Sequence, residues 1–188
     1  MYHDLELSIE GVAPLLMHNG QLANPLNKWA KAMKSITKKG QRKTDADLEE
    51  LARLEFMGGL YVDDDGNPCI PGTNIEGVLV EGAKKQRQGD KFKAGVWSEG
   101  NWKLIYTGSK DPNKLWEDEN FRDIRPARVK NNTVMRCRPI FRAWALKFKV
   151  TYNDQHVNAD EVLESLAIGG RDCGLCDYTP KFGRFEVK

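Results

Sequence analysis

The chain of 188 residues predicts an α+β fold of the ferredoxin-like, split βαβ plan. Two segments, 5–10 and 144–152, alternate apolar with polar residues as half-buried strands do. Each is followed by an amphipathic helix pattern, and a short apolar segment closes the chain. Strand, helix and strand, occurring twice in this order, predict an antiparallel sheet with helices on one face and with inserted helical and hairpin segments.

The first elements follow from local patterns. The strand at 5–10 leads into the segment GVAPLLMHNG, whose proline and glycine interrupt regular structure. A basic helix is predicted around Trp29–Ile36. A second helix begins near Thr44, which pairs with Asp47 as a cap, and Asp65-Gly66 further on is typical of a hairpin turn.

A third helix is predicted in the segment IPGTNIEGVLVEGAKK, where Thr73 and Glu76 have the spacing of a capping box. Beyond it the chain is rich in glycine and tryptophan, which indicates short strands and loops. Since 188 residues supply one sizeable core, we expect a single domain over 1–188, with insertions at about 20–58 and 88–142.

The second half carries the stronger signals. The alternation at 144–152 is followed by Asn158 and Glu161, which predict a capped helix. That helix is expected to stop at Gly169-Gly170, and the closing GRFEV is expected to form the last strand.

Charge is segregated along the chain, although the net charge is only +2. Residues 28–43 hold seven basic and no acidic residues, and residues 122–149 hold nine basic residues and one acidic residue. Such segments favour a track for a polyanion, and the alternative is that they are solvated faces. The candidate contacts in the first segment are Lys28, Lys31 and Lys34.

Composition excludes several classes of protein. No apolar run approaches the roughly 20 residues needed to cross a bilayer, and the N-terminus lacks the pattern of a signal peptide. We therefore expect a cytoplasmic protein without a membrane partner, in which the four cysteines are thiols or ligands rather than disulfides.

A C-x-x-C pair, Cys173 and Cys176, has the spacing of half a tetrahedral zinc site. Cys69 and Cys137 have no such partner, and the three histidines lack H-x3-5-H spacing. A redox pair would stand at the start of a helix, whereas this one follows a helix. The two cysteines thus remain weak metal candidates, and no cofactor is expected.

The segment GGRDCGLCDYTPKFGRFEV, residues 169–187, is better interpreted as a glycine-rich loop. Glycine permits positive φ and a close approach of backbone to a phosphate, and cations in the same segment neutralise charge. The candidate contacts are Gly169, Gly170, Arg171, Lys181, Gly183 and Arg184.

Two segments resemble the RAMP superfamily, the repeat-associated proteins of CRISPR effector complexes. IPGTNIEG is similar to its helix-opening I-P-G-[ST]-[ST]-[IL]-[KE]-G signature, and the 169–187 segment is similar to its C-terminal glycine-rich loop. The whole chain also resembles an uncharacterised protein family of bacteriophages and prophages, which ends in G-L-G-D-W-x-P-x-[FY]-G-R-F. Here Cys176 occupies the second glycine position and Tyr178 replaces the tryptophan, which lowers the expectation of a metal site.

The resemblance implies an RRM-like core that binds RNA or single-stranded nucleic acid through the helix start and the glycine-rich loop. It adds Gly72, Thr73 and Asn74 to the candidate contacts. It also implies a β-hairpin thumb in RPARVKNNTVMRCRPIFR, with Asn131-Asn132 at its tip. The candidate contacts of the hairpin are Arg125, Arg128, Lys130, Arg136 and Arg138.

Some members of the superfamily cut RNA, and His18 is the weak catalytic candidate here. Residues 15–43 contain no aspartate or glutamate, which argues against metal-dependent cutting from that loop, and the common catalytic motifs are missing.

We therefore expect a non-catalytic binder of single-stranded nucleic acid, RNA favoured, of phage origin and from the bacterial host cytoplasm. It is expected to self-associate along the strand, with other phage or CRISPR-type subunits as candidate partners. Two alternatives stay open: a metal-independent RNA endonuclease using His18, and a phage protein-interaction module that binds no nucleic acid.

Overall fold

The structure of the protein is a computed structural model that describes residues 1–129 and 132–188. The helices and strands of the described residues follow one another along the chain in this order: β1 (Tyr2–Gly11), β2 (Leu15–Leu16), α1 (Lys28–Thr37), α2 (Asp45–Gly59), β3 (Cys69–Pro71), α3 (Gly72–Lys85), α4 (Gly89–Gly95), β4 (Val96–Trp97), β5 (Asn101–Ile105), α5 (Pro112–Glu117), β6 (Arg122–Val129), β7 (Asn132–Phe141), β8 (Ala145–Asn153), α6 (Ala159–Ile168) and β9 (Phe185–Val187).

The chain divides into two compact units. Unit 1 consists of Met1–Leu15, Val62–Thr107 and Phe141–Lys188, and unit 2 of Leu16–Tyr61 and Gly108–Ile140. The single domain with insertions at about 20–58 and 88–142 stays a prediction. The sheet strand β5 and the helix α4 lie within the second of those segments.

Unit 1 contains the ferredoxin-like sheet. Its strands lie in the order β3-β5-β8-β1-β9, and the pairs β5–β8, β8–β1 and β1–β9 are all antiparallel. With α3 after β1 and α6 after β8, the strands β1, β5, β8 and β9 have the order and connections of the split βαβ plan. The predicted α+β fold class is therefore confirmed.

The two central strands, β1 and β8, have one covered and one open face. Leu7 stands opposite Phe148, and Ile9 opposite Leu146, and all four side chains are buried. The intervening partners Glu6–Lys149 and Ser8–Lys147 point to the open face. This alternation is the one that the sequence predicts.

The helices α3 and α6 pack against each other in unit 1. A Cβ atom on Gly82 of α3 would lie 2.1 Å from the carbonyl oxygen of Ser165 on α6, so only glycine allows this approach. The Ser165 hydroxyl donates to the carbonyl of Leu79 at 2.7 Å. The predicted cap of α6 by Asn158 and Glu161 is confirmed, and the two residues form a capping box.

The capping box predicted for α3 is wrong. The helix begins at Gly72 rather than after Thr73, its N-cap is Pro71, and no side chain caps it. The carboxylate of Glu76 instead accepts the backbone N–H of Ser98 at 2.9 Å. A tertiary partner has thus replaced the local one.

Unit 2 is built from α1, α2, α5 and the β6–β7 hairpin, and β2 adds to the hairpin in a three-stranded sheet of order β2-β7-β6. The cap predicted at Thr44 with Asp47 is present at the start of α2, where the two residues form a capping box. Phe56 on α2 is fully buried, with its ring 5.5 Å from that of Trp116 on α5. Within the described ranges, no helix is long and apolar enough to cross a membrane.

Candidate nucleic-acid interface

The start of α3 and the glycine-rich loop meet in unit 1. The side-chain amide of Asn74, in the first turn of α3, donates to the sulfur of Cys176 at 3.4 Å, although 102 positions separate the two residues in the chain. The two segments that carry the RAMP resemblance are therefore neighbours in the fold.

The first residues of α3 differ in what they offer a ligand. Gly72 is buried, and its N–H donates to the carbonyl of Gly100 at 2.8 Å. A Cβ atom there would lie 1.5 Å from the carbonyl oxygen of Ser98. Thr73 is exposed, whereas Asn74 is half-buried and bonded to the loop. Thr73 is thus the member of this predicted trio that faces solvent.

The glycines of the loop are required by packing inside unit 1. A Cβ atom on Gly170 would lie 2.5 Å from the carbonyl oxygen of Phe185, and one on Gly169 would lie 2.7 Å from that of Val78. Gly183 has φ +72°, and a Cβ atom there would lie 1.9 Å from the carbonyl oxygen of Leu175. These close approaches are to the protein's own backbone, and a contact of these glycines with nucleic acid stays a prediction.

Cys176 has a backbone conformation that favours glycine. Its φ is +67°, in the left-handed region. Glycine adopts this conformation without strain. The α3 contact and the turn together hold its side chain against Asn74.

The two loop cysteines, Cys173 and Cys176, are the weak metal candidates of the sequence. Among the described residues, no group of three or more histidine, cysteine, aspartate or glutamate side chains is positioned to hold a metal ion. Burial raises the pKa of the Cys176 thiol to about 12, and it also raises the pKa of Cys173. Neutral thiols are poor ligands and poor nucleophiles.

The three cations of the loop are all exposed. Arg171 donates two hydrogen bonds of 2.9 Å to the carboxylate of its neighbour Asp172, and these bonds lower the pKa of that carboxyl. Lys181 and Arg184 form no ion pair with any described residue. These two residues are the cations of the loop that remain available to an anionic ligand.

The predicted hairpin is formed by β6 and β7, and its arginines have different surroundings. Arg125 forms a bidentate ion pair with Asp123. Arg136 forms an ion pair with the buried Glu55 of α2, and Arg138 is half-buried. Arg128 is exposed near the tip. The predicted contact Lys130 and the predicted tip residue Asn131 lie outside the described residues.

The lysines of α1 form an exposed basic face in unit 2. Lys28, Lys31 and Lys34 recur every three residues and so share one side of the helix. None of the three forms an ion pair with a described residue, and the ammonium of Lys28 lies 4.7 Å from the ring centre of Trp29. His18, the weak catalytic candidate, is exposed, and its backbone carbonyl accepts the Tyr61 hydroxyl at 3.2 Å.

Sequence reasoning missed the carboxylates that occupy several of these arginines. Asp172 and Asp123 stand one and two residues from their arginines, so their pairing had a local signal. Glu55 had none, because 81 positions separate it from Arg136. Trp102, which lines a pocket together with Glu6 and Lys149, was also not identified, since a lone tryptophan carries no motif.

Comparison with known proteins shows the class of fold. No protein-family model matches the chain, and no curated protein matches it. Among solved structures, all of the chain aligns to a chain of the "Type III-B Cmr-beta bound to cognate target RNA", with TM-score 0.53 and 12% identity. The chain spans 59% of the length of that matched chain. It also aligns to Cmr6 from Pyrococcus furiosus over its full length and 99% of Cmr6, with TM-score 0.40 and 10% identity.

The chain thus shares the fold of the matched Cmr-beta chain. At this level of identity the comparison concerns the fold alone. The membership in a phage family stays a prediction.

Proposed function

We propose that the protein binds single-stranded nucleic acid, RNA in preference to DNA, without cutting it. The observation that carries the proposal is the contact between Asn74 and Cys176. It joins the start of α3 to a loop whose exposed cations Lys181 and Arg184 are not engaged by described carboxylates. A bound strand would cross this junction with its phosphates against those two side chains.

The RAMP-like fold supports this proposal. The matched chain belongs to the Type III-B Cmr-beta assembly, which was solved bound to cognate target RNA. RNA binding is a property of the matched assembly, and we propose the same property for this chain. The fold puts the helix start and the loop on one unit, so the binding site proposed needs no rearrangement of unit 1.

A second set of contacts is proposed in unit 2. Lys28, Lys31 and Lys34 form an exposed row on α1, and Arg128 is exposed on the hairpin. Exposed lysines and arginines without carboxylate partners add affinity by releasing counterions from the strand. Arg125 and Arg136 are held by Asp123 and Glu55, so we expect them to contribute less.

We also propose how the protein assembles, where it originates and where it acts. The protein self-associates along the strand, it originates from a phage, and its partners include other phage or CRISPR-type subunits. It resides in the cytoplasm of the bacterial host. The alternatives predicted from sequence, an RNA endonuclease using His18 and a protein-interaction module, are distinguished by the experiment below.

The experiment measures fluorescence anisotropy of a labelled 30-nucleotide RNA and the matching DNA at several salt concentrations. We expect RNA to bind more tightly, with log affinity falling linearly against log salt. Light scattering on the same mixtures reports assembly on the strand, and gel analysis reports RNA length. Failure of both polymers to bind at low salt would contradict the proposal and favour the interaction module, whereas shortened RNA would favour the endonuclease.

The double variant Lys181→Glu with Arg184→Glu tests the carrying observation. It places repulsive charge beside the proposed strand while leaving the buried glycines in place. We expect its RNA affinity to fall by at least about tenfold at low salt. Lys91→Glu with Lys93→Glu is the matched control, because it makes the same change of net charge at two exposed lysines of unit 1 that already pair with Glu161 and Asp90. Equal losses in both would show that net charge alone is responsible.

A further inference from the structure

The open face of the unit 1 sheet contains a pocket that none of the predicted contacts uses. Its volume is about 440 Å³, which is within the size range of small-ligand sites. It is lined by Glu6, Leu7, Ser8, Trp102, Lys147, Phe148, Lys149 and Lys188. Four elements of the sheet or its edge therefore contribute to one depression: β1, β5, β8 and the residue after β9.

The tryptophan in this pocket is held in a fixed orientation. The indole N–H of Trp102 donates to the Ser98 hydroxyl oxygen at 3.0 Å. That hydroxyl in turn donates to the carbonyl of Lys149 at 2.9 Å, and Ser98 is only 3% exposed. Because the N–H edge is engaged by a buried partner, the half-buried ring is pre-organised as an apolar platform.

The charges around this platform are mainly positive. Three lysines and one glutamate line the pocket. Lys149 is anchored by Asp4 at 2.9 Å, and Lys188 lies 3.5 Å from Glu10. Lys147 is exposed and forms no ion pair with any described residue. The pocket thus offers an aromatic surface together with a cation that an anionic group can reach.

We propose that this pocket binds one nucleotide unit, with the base stacked on Trp102 and the phosphate bound by Lys147. Base–aromatic stacking and ammonium–phosphate attraction need the two features that the pocket combines. A nucleotide has both an aromatic ring and an anionic phosphate, and its sugar separates the two. An inorganic anion lacks the ring, and an apolar ligand lacks the anion. The nucleotide is either a free mononucleotide or one residue of an RNA strand, and both share this chemistry.

The inference does not depend on the nucleic-acid interface proposed above. The pocket lies wholly in unit 1, on the sheet face, and contains none of the residues of the loop, of α1 or of the hairpin. Binding of a mononucleotide can therefore be measured whether or not RNA binds elsewhere.

The test is isothermal titration of the full chain with GMP, with ribose 5-phosphate as the ligand that lacks the base. We expect GMP to bind more tightly than ribose 5-phosphate. Trp102→Ala should weaken GMP binding by about tenfold or more, whereas Trp102→Phe, which keeps a stacking face, should stay within about threefold of the original. Lys147→Gln should weaken both ligands, because each carries the phosphate.

Trp97→Ala is the matched control, since Trp97 packs edge-on against Tyr2 at 5.5 Å and does not line this pocket. Circular dichroism and the thermal midpoint show whether each variant is folded. Equal GMP affinity of folded Trp102→Ala and the original protein would overturn the proposal, as would equal binding of GMP and ribose 5-phosphate.

A competition assay distinguishes the two sources of the nucleotide. If the pocket takes a residue of an RNA strand, GMP displaces labelled RNA and Trp102→Ala weakens RNA binding. If the pocket binds a free nucleotide, neither added GMP nor Trp102→Ala changes RNA binding, while the titration still shows that GMP binds. Both results support nucleotide binding in the pocket. A complete absence of RNA binding would contradict only the nucleic-acid interface proposed above.

Discussion

The carboxylate of Glu55 on α2 holds the hairpin strand β7 by two contacts. It forms an ion pair with the guanidinium of Arg136, and it accepts the backbone N–H of Cys137 at 3.0 Å. Glu55 is 7% exposed, and about a third of the Arg136 side chain remains in solvent. The hairpin predicted to contact nucleic acid is therefore fixed to the helix of its own unit by a buried carboxylate.

Glu55→Gln should destabilise unit 2, because it leaves Arg136 without its counter-charge. We expect the free energy of unfolding to fall by about 2–3 kcal/mol, less than for a fully buried pair because Arg136 stays partly hydrated. Urea denaturation followed by circular dichroism measures the change. The control is Glu49→Gln, an exposed carboxylate on the same helix, which should change stability by at most about 0.5 kcal/mol. Equal effects of the two would contradict a structural role for Glu55.

Arg128 and Arg136 should affect RNA binding in different ways. Arg128 is exposed near the hairpin tip, so Arg128→Ala should lower the salt dependence of log affinity by about 0.7, the value for one phosphate contact on a single strand. Arg136→Ala should lower stability and change that slope less, because its guanidinium is already paired with Glu55. Affinities at four salt concentrations give the slopes. A larger change of slope for Arg136→Ala would mean that the ion pair opens on binding.

The elements that the sequence predicts well are those with local causes. The strand β1 alternates residue by residue, and Asn158 with Glu161 forms the capping box that their spacing indicates. The same spacing at Thr73 and Glu76 gave a wrong prediction of a capping box, because Glu76 accepts the N–H of Ser98, 22 residues away. The spacing of residues predicts the buried faces of strands and helices and the caps of helices. A contact between distant segments cannot be predicted from a single sequence.

The candidate site shows the same division. The glycines of residues 169–183 were predicted as positions of close approach, and the structure shows them packed against the protein's own carbonyls. The sequence could not distinguish these partners from a phosphate, since both require the absence of a Cβ atom. The contact of Asn74 with Cys176 was likewise invisible without the fold.

Gly183→Ala should destabilise unit 1. The residue has φ +72°, and an added Cβ atom would lie 1.9 Å from the carbonyl oxygen of Leu175, so the turn must shift. We expect a loss of about 2–4 kcal/mol in the free energy of unfolding. Gly77→Ala is the control, because Gly77 lies within α3 with open space around its Cα, and alanine there should stabilise by up to about 1 kcal/mol. A neutral Gly183→Ala would contradict the described turn.

The two loop thiols should react at different rates with iodoacetamide in the folded protein. Burial raises the pKa of Cys176 to about 12, although the hydrogen bond from Asn74 acts in the opposite direction. At pH 8 almost all of this thiol is therefore protonated, and the rate should rise about tenfold for each pH unit up to pH 10. Mass spectrometry of peptides after timed alkylation measures both sites.

Cys173 should be alkylated first, because the charge of Lys85 opposes the effect of burial on the pKa of its thiol. In guanidinium both thiols should react alike, which shows that the difference belongs to the fold. Added Zn²⁺ should protect neither cysteine in the native protein, since among the described residues no third ligand accompanies them. Protection of both by stoichiometric Zn²⁺ would instead mean that the C-x-x-C pair is a metal site, and that the glycine-like turn at Cys176 positions its sulfur for the ion.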